Sequence, residues 1–225
     1  MGKVIAIDGP AGAGKSTISR LLARKLAYRY LDTGAMYRAI TYLALEEGID
    51  IHDTEEIVKL SKKIEMQITP PDENHISHII INGRDVTDSL RTKEVDLNVS
   101  TVAKNKAIRE LMTEMQRNIA SSGNIIMDGR DIGTRVLPDA DYKFFITASL
   151  EERARRRWKE LREKGLEVSL AEIEKEIAER DREDSTRELA PLVKAEDAIL
   201  IDTSNLSIQE VLDKLISYIK DEGNV

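Results

Sequence analysis

The chain of 225 residues contains no cysteine. That excludes a disulfide framework, thiolate chemistry and any cysteine-ligated metal. No stretch approaches the roughly 18 apolar residues of a membrane-spanning helix. The opening Lys3-Val4-Ile5-Ala6-Ile7-Asp8 is too short for a secretory leader, so the expected location is cytoplasmic. Positive charge is in deficit, with 34 Lys and Arg against 41 Asp and Glu and a net charge of -7. Such a balance does not make a general nucleic-acid coat. Repeats, low-complexity tracts and interdomain linkers are missing too. The 41% hydrophobic and 33% charged residues describe one soluble folded domain with room for insertions. Nothing in it demands more than a monomer.

What is present begins with Gly9-Pro10-Ala11-Gly12-Ala13-Gly14-Lys15-Ser16-Thr17. This fits G-x-x-x-x-G-K-[ST], the phosphate-binding loop. Val4 to Ile7 is a short apolar run suited to a buried strand. Ile18, Leu21, Leu22 and Leu26 then fall at helical spacing. Glycines let the backbone curl so that N–H groups point inward at phosphate oxygens. The helix N-terminus adds partial positive charge. Lys15 can reach the β- and γ-phosphates, and the Ser16 hydroxyl can bind Mg²⁺. The alternative is a plain glycine-rich turn, which the strand-loop-helix setting disfavours.

Behind the loop, strands and helices alternate. Strands are expected at 3–8, at 30–32, at 124–127, at 142–147 and at 198–201. Helices are expected at 15–28, 35–47, 54–64, 105–121, 150–164, 169–183 and 207–220. Thr33 is the expected N-cap of the second helix, and Gly48 its end. Between 65 and 88 the period changes to two. Pro70 to Asn74 reads as a turn, and Asn82-Gly83 as a hairpin turn. This predicts a small antiparallel insertion with a helical continuation to about 103. His75 and His78 lie there as ordinary surface residues, not metal ligands. The fold class is α/β, a parallel sheet covered on both faces. Ligands in such sheets sit beyond the strand carboxyl ends. The loop, Asp32-Thr33-Gly34 and Asp128 to Asp131 all follow strands and should meet in one cleft.

Arginines crowd the expected cleft. Arg38, Arg109, Arg130, Arg180 and Arg187 come from separate segments, with Asp32, Asp128, Asp131 and Asp184. A triphosphate needs the loop, a metal and few arginines, so a second anionic ligand is implied. That favours phosphoryl transfer between two phosphorylated molecules over hydrolysis. The basic helix at 150–164 has two readings. Glu151/Arg155 and Glu152/Arg156 make favourable i,i+4 pairs on a solvated face. Alternatively the helix is a lid carrying Arg153 and Arg157, one turn apart, onto the transferring group. Asp128 can hold Mg²⁺ through water, and Asp8 is a second candidate for that role.

Four blocks carry a resemblance. Ile7 to Thr17, Leu31 to Arg38, Asp128 to Thr134 and Arg180 to Arg187 closely resemble the bacterial cytidylate kinases, and the likeness spans nearly the whole chain. It implies a P-loop kinase three-layer fold with a five-stranded parallel sheet, an antiparallel insertion in the monophosphate-binding region and a helical lid. The implied core is 1–64, 104–148 and 188–225, the insertion about 65–103 and the lid about 149–187. The implied reaction moves the γ-phosphoryl of ATP to CMP or dCMP with Mg²⁺. Matching blocks put Thr33, Tyr37, Arg38, Ser100, Arg109, Arg130, Asp131, Arg180, Asp184 and Arg187 at the acceptor site. Asp131 would accept from the cytosine amine, and Ser100 and Arg109 would meet the N3 and O2 edge. Asp184 with Arg180 would hold the ribose. Arg38, Arg130 and Arg187 would hold the acceptor phosphate. Family members often carry Ser at position 33 and Gly at position 16; here both residues are hydroxyl variants.

The residues alone leave two other readings open. One is a P-loop kinase for UMP, AMP or a non-nucleotide acceptor. The other is a regulatory P-loop ATPase whose basic helix binds a protein or RNA. All kinase readings share one outcome. Lys15→Ala should abolish nucleotide turnover in a coupled ADP-release assay, because Lys15 neutralises charge developing on the transferred group. Near-normal turnover would remove the loop from the chemistry.

Overall fold

The computed structural model describes residues 2–69, 72, 77–163 and 165–221. Its main sheet has five parallel strands in the order β2-β6-β1-β7-β8. They are β1 (Val4–Asp8), β2 (Arg29–Asp32), β6 (Ile125–Gly129), β7 (Tyr142–Thr147) and β8 (Ile199–Asp202). The central β1 pairs with β6 and β7, bringing Asp8 into register with Gly129 and Phe145. Asp32 likewise lies level with Asp128. The ends of β1, β2 and β6 therefore form one edge, as the α/β pattern predicts.

Each face of this sheet has its own apolar layer. On one side Ile5, Ile7, Ile126, Phe144, Ile146 and Ile201 pack with α1 (Lys15–Leu26) and α8 (Ile208–Asp221). On the other, Ala6, Leu31, Ile125 and Met127 join α2 (Thr33–Glu46), α3 (Thr54–Lys63) and α5 (Lys106–Ala120). β6 is buried throughout and reads as a continuous apolar run up to Asp128. β7 instead alternates, with Tyr142, Phe144 and Ile146 buried and the residues between them half-buried. It is packed more tightly on one face than on the other.

The insertion forms a three-stranded antiparallel sheet of β3 (Met66–Ile68), β4 (Ile79–Ile81) and β5 (Arg84–Asp85). Asn82 and Gly83, at φ 50° and 80°, make the two-residue turn that requires positive φ at both positions. Ile79, Ile81 and Val86 join the same apolar cluster as α2 and α3, so the insertion extends the main core. A 3₁₀ turn at Thr87–Arg91 leads into α4 (Lys93–Lys104). Asn105 then breaks the helix and caps α5, accepting from the amides of Ala107 and Ile108. Most of the expected turn at Pro70 to Asn74, and His75, lie outside the described residues. His78 is a surface residue as expected, and its ring meets the carboxylates of Asp85 at 2.8 Å and Asp72 at 3.5 Å.

A hairpin of α6 (Leu150–Glu163) and α7 (Leu170–Thr186) stands apart. It has a small core of its own: Ala154, Ile173 and Ile177, with Leu150, Trp158, Leu161 and Val168 against them. Ser169 and Glu172 form a capping box at the start of α7. The helix runs three residues past its expected end at 183, carrying Asp184 on its last turn.

One expectation changes at a helix end. Gly48 ends α2 as expected, at φ 68°, with its amide donating to Leu45. The N-cap of α2, however, is Asp32, whose side chain accepts from the Ala35 amide. Thr33 is already helical, and its hydroxyl points to β6 instead.

The loop after β1 depends on one glycine. Gly9 has φ 148°, and a Cβ there would lie 1.9 Å from the Ile146 carbonyl oxygen. Gly9→Ala should therefore cost about 3 kcal/mol or more of stability, read as a lower urea midpoint. An unchanged midpoint would show that β1 and β7 do not approach so closely.

Candidate active site

The phosphate loop spans the gap from β1 to α1. Gly12 and Gly14 take positive φ values of 74° and 86°, and Gly14 is the N-cap of α1. Lys15 is buried, and its ammonium donates to the Pro10 carbonyl at 2.7 Å. Burial and the nearby Arg130 lower its affinity for a proton, a cost that phosphate anions would reverse.

Asp128, at the end of β6, is buried beside it. The Ser16 hydroxyl donates to Asp128 Oδ2 at 2.8 Å, and the Tyr30 hydroxyl to Oδ1 at 3.0 Å. Burial and then Asp32 raise the Asp128 carboxyl above its ordinary value. Ser16 and Asp128 thus place two hard oxygen donors together at the loop. Among the described residues there is no cluster of three or more acidic or histidine side chains that could hold a metal. Two protein oxygens suit Mg²⁺, which keeps waters and takes the rest of its shell from phosphates. Asp8 does not fit the metal role suggested for it. Its two oxygens accept from the Ile132 and Gly133 amides at 2.8 and 2.7 Å, which hold the π-helical turn at Ile132–Val136.

The predicted acceptor residues gather on the insertion side of this edge. Thr33 donates its hydroxyl to the Asp128 carbonyl at 2.7 Å. Arg109 on α5 is 2% exposed. It donates to Asp131 Oδ2 at 2.5 Å and to the Ala103 carbonyl at 3.0 Å, and lies 5.4 Å from the Tyr37 ring centroid. Arg109 is therefore a buried residue with a buried partner. Arg187 approaches Asp131 at 3.8 Å and Asp184 at 3.5 Å. Arg130 donates from Nε to Asp184 at 2.8 Å. Ser100 is half-buried on α4, next to buried Val99. Arg180, like Arg109 at Nε and Arg187 at Nη2, has a buried guanidinium nitrogen without a hydrogen-bond partner, in its case Nε. Burial, then Arg130 and Arg38, pull its value down to about 10.

The two hairpin arginines take different partners. Arg153 is buried, donating to the carbonyls of Ala148 and Ala11 and to Asp181 at 2.6 Å. It braces the phosphate loop against α7. Arg157 instead reaches Asp96 at 3.3 Å and Glu160 at 3.0 Å. The expected Glu151/Arg155 and Glu152/Arg156 pairs both form at 2.9 Å.

Some site residues escaped the sequence reading. Asp96 accepts from Nε and Nη2 of Arg38 at 3.2 and 3.1 Å. It lies one helical turn before Ser100, so spacing alone could have placed it on the same face. Arg91 pairs with Asp32 at 3.0 Å, and no local pattern announced it. Arg156 donates to the side chain and carbonyl of Thr203, tying the hairpin to the loop after β8.

Comparison with known proteins identifies the family. A sequence model described as Cytidylate kinase matches residues 5–221. The chain belongs to the cytidylate kinase family. It is 52% identical over 221 residues to the cytidylate kinase of Carboxydothermus hydrogenoformans, covering 98% of this chain and 99% of that protein. The cytidylate kinase of Bacillus subtilis is 48% identical, with 97% of each chain covered. Among solved structures, an uncharacterized protein from Eubacterium ventriosum aligns with TM-score 0.52 at 13% identity, covering 97% of this chain and 98% of that one. Shikimate kinase from Acinetobacter baumannii aligns with TM-score 0.50 at 16% identity, covering 100% and 97%. At those identities the structural likeness concerns the fold alone.

Asp8 yields a test. Burial raises its value from 3.8 to about 6, against the lowering effect of the Gly133 and Ile132 amides. A carboxyl that holds its proton more tightly when folded favours folding at low pH, and that contribution fades as pH rises through the folded value. Between pH 4 and 6, wild type should therefore lose up to about 3 kcal/mol of stability relative to Asp8→Asn. Urea titrations of both proteins at each pH read this difference, and parallel pH profiles would contradict it.

Proposed function

We propose that the chain transfers the γ-phosphoryl group of ATP to CMP and dCMP, releasing ADP and the cytidine diphosphate. The observation that supports cytosine is the Arg109–Asp131 pair. It sets a donor and an acceptor side by side in a buried place. Cytosine presents the matching edge, an N4 amine donor beside acceptors at N3 and O2. Uracil presents an acceptor at O4 and a donor at N3, so Asp131 loses its donor and a donor aimed at N3 meets another, while O2 is unchanged.

The remaining roles follow from position. Gly9 to Thr17 cradle the donor phosphates, and Lys15 neutralises the charge developing on the γ-phosphoryl. Ser16 would hold Mg²⁺ directly and Asp128 through water, and the ion would supply charge neutralisation to the phosphates. Arg38, Arg130 and Arg187 hold the acceptor phosphate, Asp184 and Arg180 the ribose, and Ser100, Arg109 and Asp131 the base. Thr33 and Tyr37 shape the pocket. The α6–α7 hairpin is the lid. Its separate core supports motion as one body. Arg157 serves the transferring group from it, and Arg153 serves by holding the loop. Acceptor phosphate oxygens are anionic at neutral pH, so a general base is not needed. A net charge of -7 supports small-molecule partners over nucleic acid. The proposal includes a cytoplasmic monomer.

The test is an ADP-release assay with ATP, Mg²⁺ and each of CMP, dCMP, UMP, AMP and GMP. Strong turnover with CMP and dCMP alone is expected. Asp131→Asn should lower kcat/KM for CMP about 10- to 100-fold and narrow the gap to UMP, with circular dichroism confirming the fold. Retained CMP preference in that variant would overturn the base assignment, and turnover independent of acceptor would overturn the kinase reading.

A further inference from the structure

Three acidic residues contact the arginines of the acceptor site. Two of them, Asp131 and Asp184, have partners of their own in the proposed reaction, the base and the ribose. Asp96 has none. Its carboxylate nonetheless joins three segments. Oδ1 takes the Nε and Nη2 of Arg38 on α2, at 3.2 and 3.1 Å. Oδ2 takes Nη2 of Arg157 on α6, at 3.3 Å. The carboxylate itself stands on α4, next to the antiparallel insertion. One acid thus links acceptor site, insertion and lid.

The edge of Arg38 that Asp96 takes matters. Nε and Nη2 form the fork that grips phosphate oxygens bidentately. A carboxylate and a phosphate cannot share that fork, because their charges repel at such distances. The groups are only partly exposed, Asp96 by 27% and Arg38 by 16%, so solvent screens the repulsion incompletely. The surroundings favour a resident anion as well. Arg130 and Arg38 both disfavour the charge on Arg180, and an anion among them relieves that repulsion.

We propose that Asp96 is a positioning residue that competes with the acceptor phosphate for Arg38. By the same contact it keeps Arg157 beside the acceptor site. An entering phosphate displaces Asp96 from Arg38, and acceptor binding is thereby coupled to the placement of the lid arginine. The cost is weaker acceptor binding. The gain is that arginines from α2 and α6 are held near each other beforehand. This rests on the reading of Arg38 as an acceptor-phosphate ligand.

The experiment compares wild type with Asp96→Asn and Asp96→Ser by calorimetry, using CMP, cytidine and inorganic phosphate as probes. Both variants should bind CMP about three- to ten-fold more tightly. Cytidine, which has no phosphate, should bind equally to all three proteins. The gain for CMP should shrink at high salt. In steady state the KM for CMP should fall while kcat does not rise, a split that a merely structural residue would not give. Equal shifts for CMP and cytidine, or weaker CMP binding, would overturn the proposal. Inorganic phosphate separates it from the functional reading. If wild type does not use CMP, yet phosphate binds the variants more tightly, the specificity reading fails and the competition at Arg38 stands. If phosphate binding is also unchanged, the competition fails too.

Discussion

One buried carboxylate ties the site together. Asp128 lies one residue before the end of the fully buried β6 and accepts from Ser16 in the phosphate loop and from Tyr30 in β2. Its backbone carbonyl accepts from Thr33 at the start of α2. Lys15 lies close enough to attract it. Neither charge would be tolerable alone at this depth, because desolvation opposes both. Together, with hydroxyl donors satisfying the carboxylate oxygens, they can stay. The loop, β2 and α2 are held in one arrangement by that shared need.

The same constraint continues outward. Arg109 pairs with Asp131, Arg130 with Asp184, and Arg153 with Asp181. Each pair joins segments distant in the chain, so ionic pairing here also fixes geometry. Arg180 has no hydrogen-bond partner at Nε, and burial with Arg130 and Arg38 nearby disfavours its charge. A site so arranged favours an anion with several oxygen acceptors. Rigid pairs around the base pocket contrast with the hairpin, which has its own core and reaches the rest largely through polar contacts. Rigidity suits reading a base, and a separable body suits closing over a donor.

Much of this was legible in the residues. The phosphate loop, the alternation of strands and helices, the Asn82-Gly83 turn and the basic helix all carry local signals. Backbone conformation and side-chain period belong to short windows, and such windows predict them. The arginines and acids of the cleft were legible as a cluster of charge, but their separate roles at the acceptor came only from a family resemblance, because they stand on α2, α4, α5, the turn after β6 and the end of α7. Asp32 and Thr33 show the limit at close range. Either side chain can cap a helix, and the choice fell to Asp32 because the Thr33 hydroxyl found a buried carbonyl on β6.

By itself the sequence determined the fold class, the place of the loop and the stock of charges around it. Those follow from periodicity, glycine conformation and composition, which are properties of neighbouring residues. The tertiary structure decided what each charge faces. Asp8 holds backbone amides rather than a metal, Arg153 braces the loop while Arg157 meets Asp96, and Arg180 is left without a partner at Nε. Pairing energies depend on distance and desolvation between segments far apart in the chain, and those quantities exist only once the sheet has brought its strand ends together.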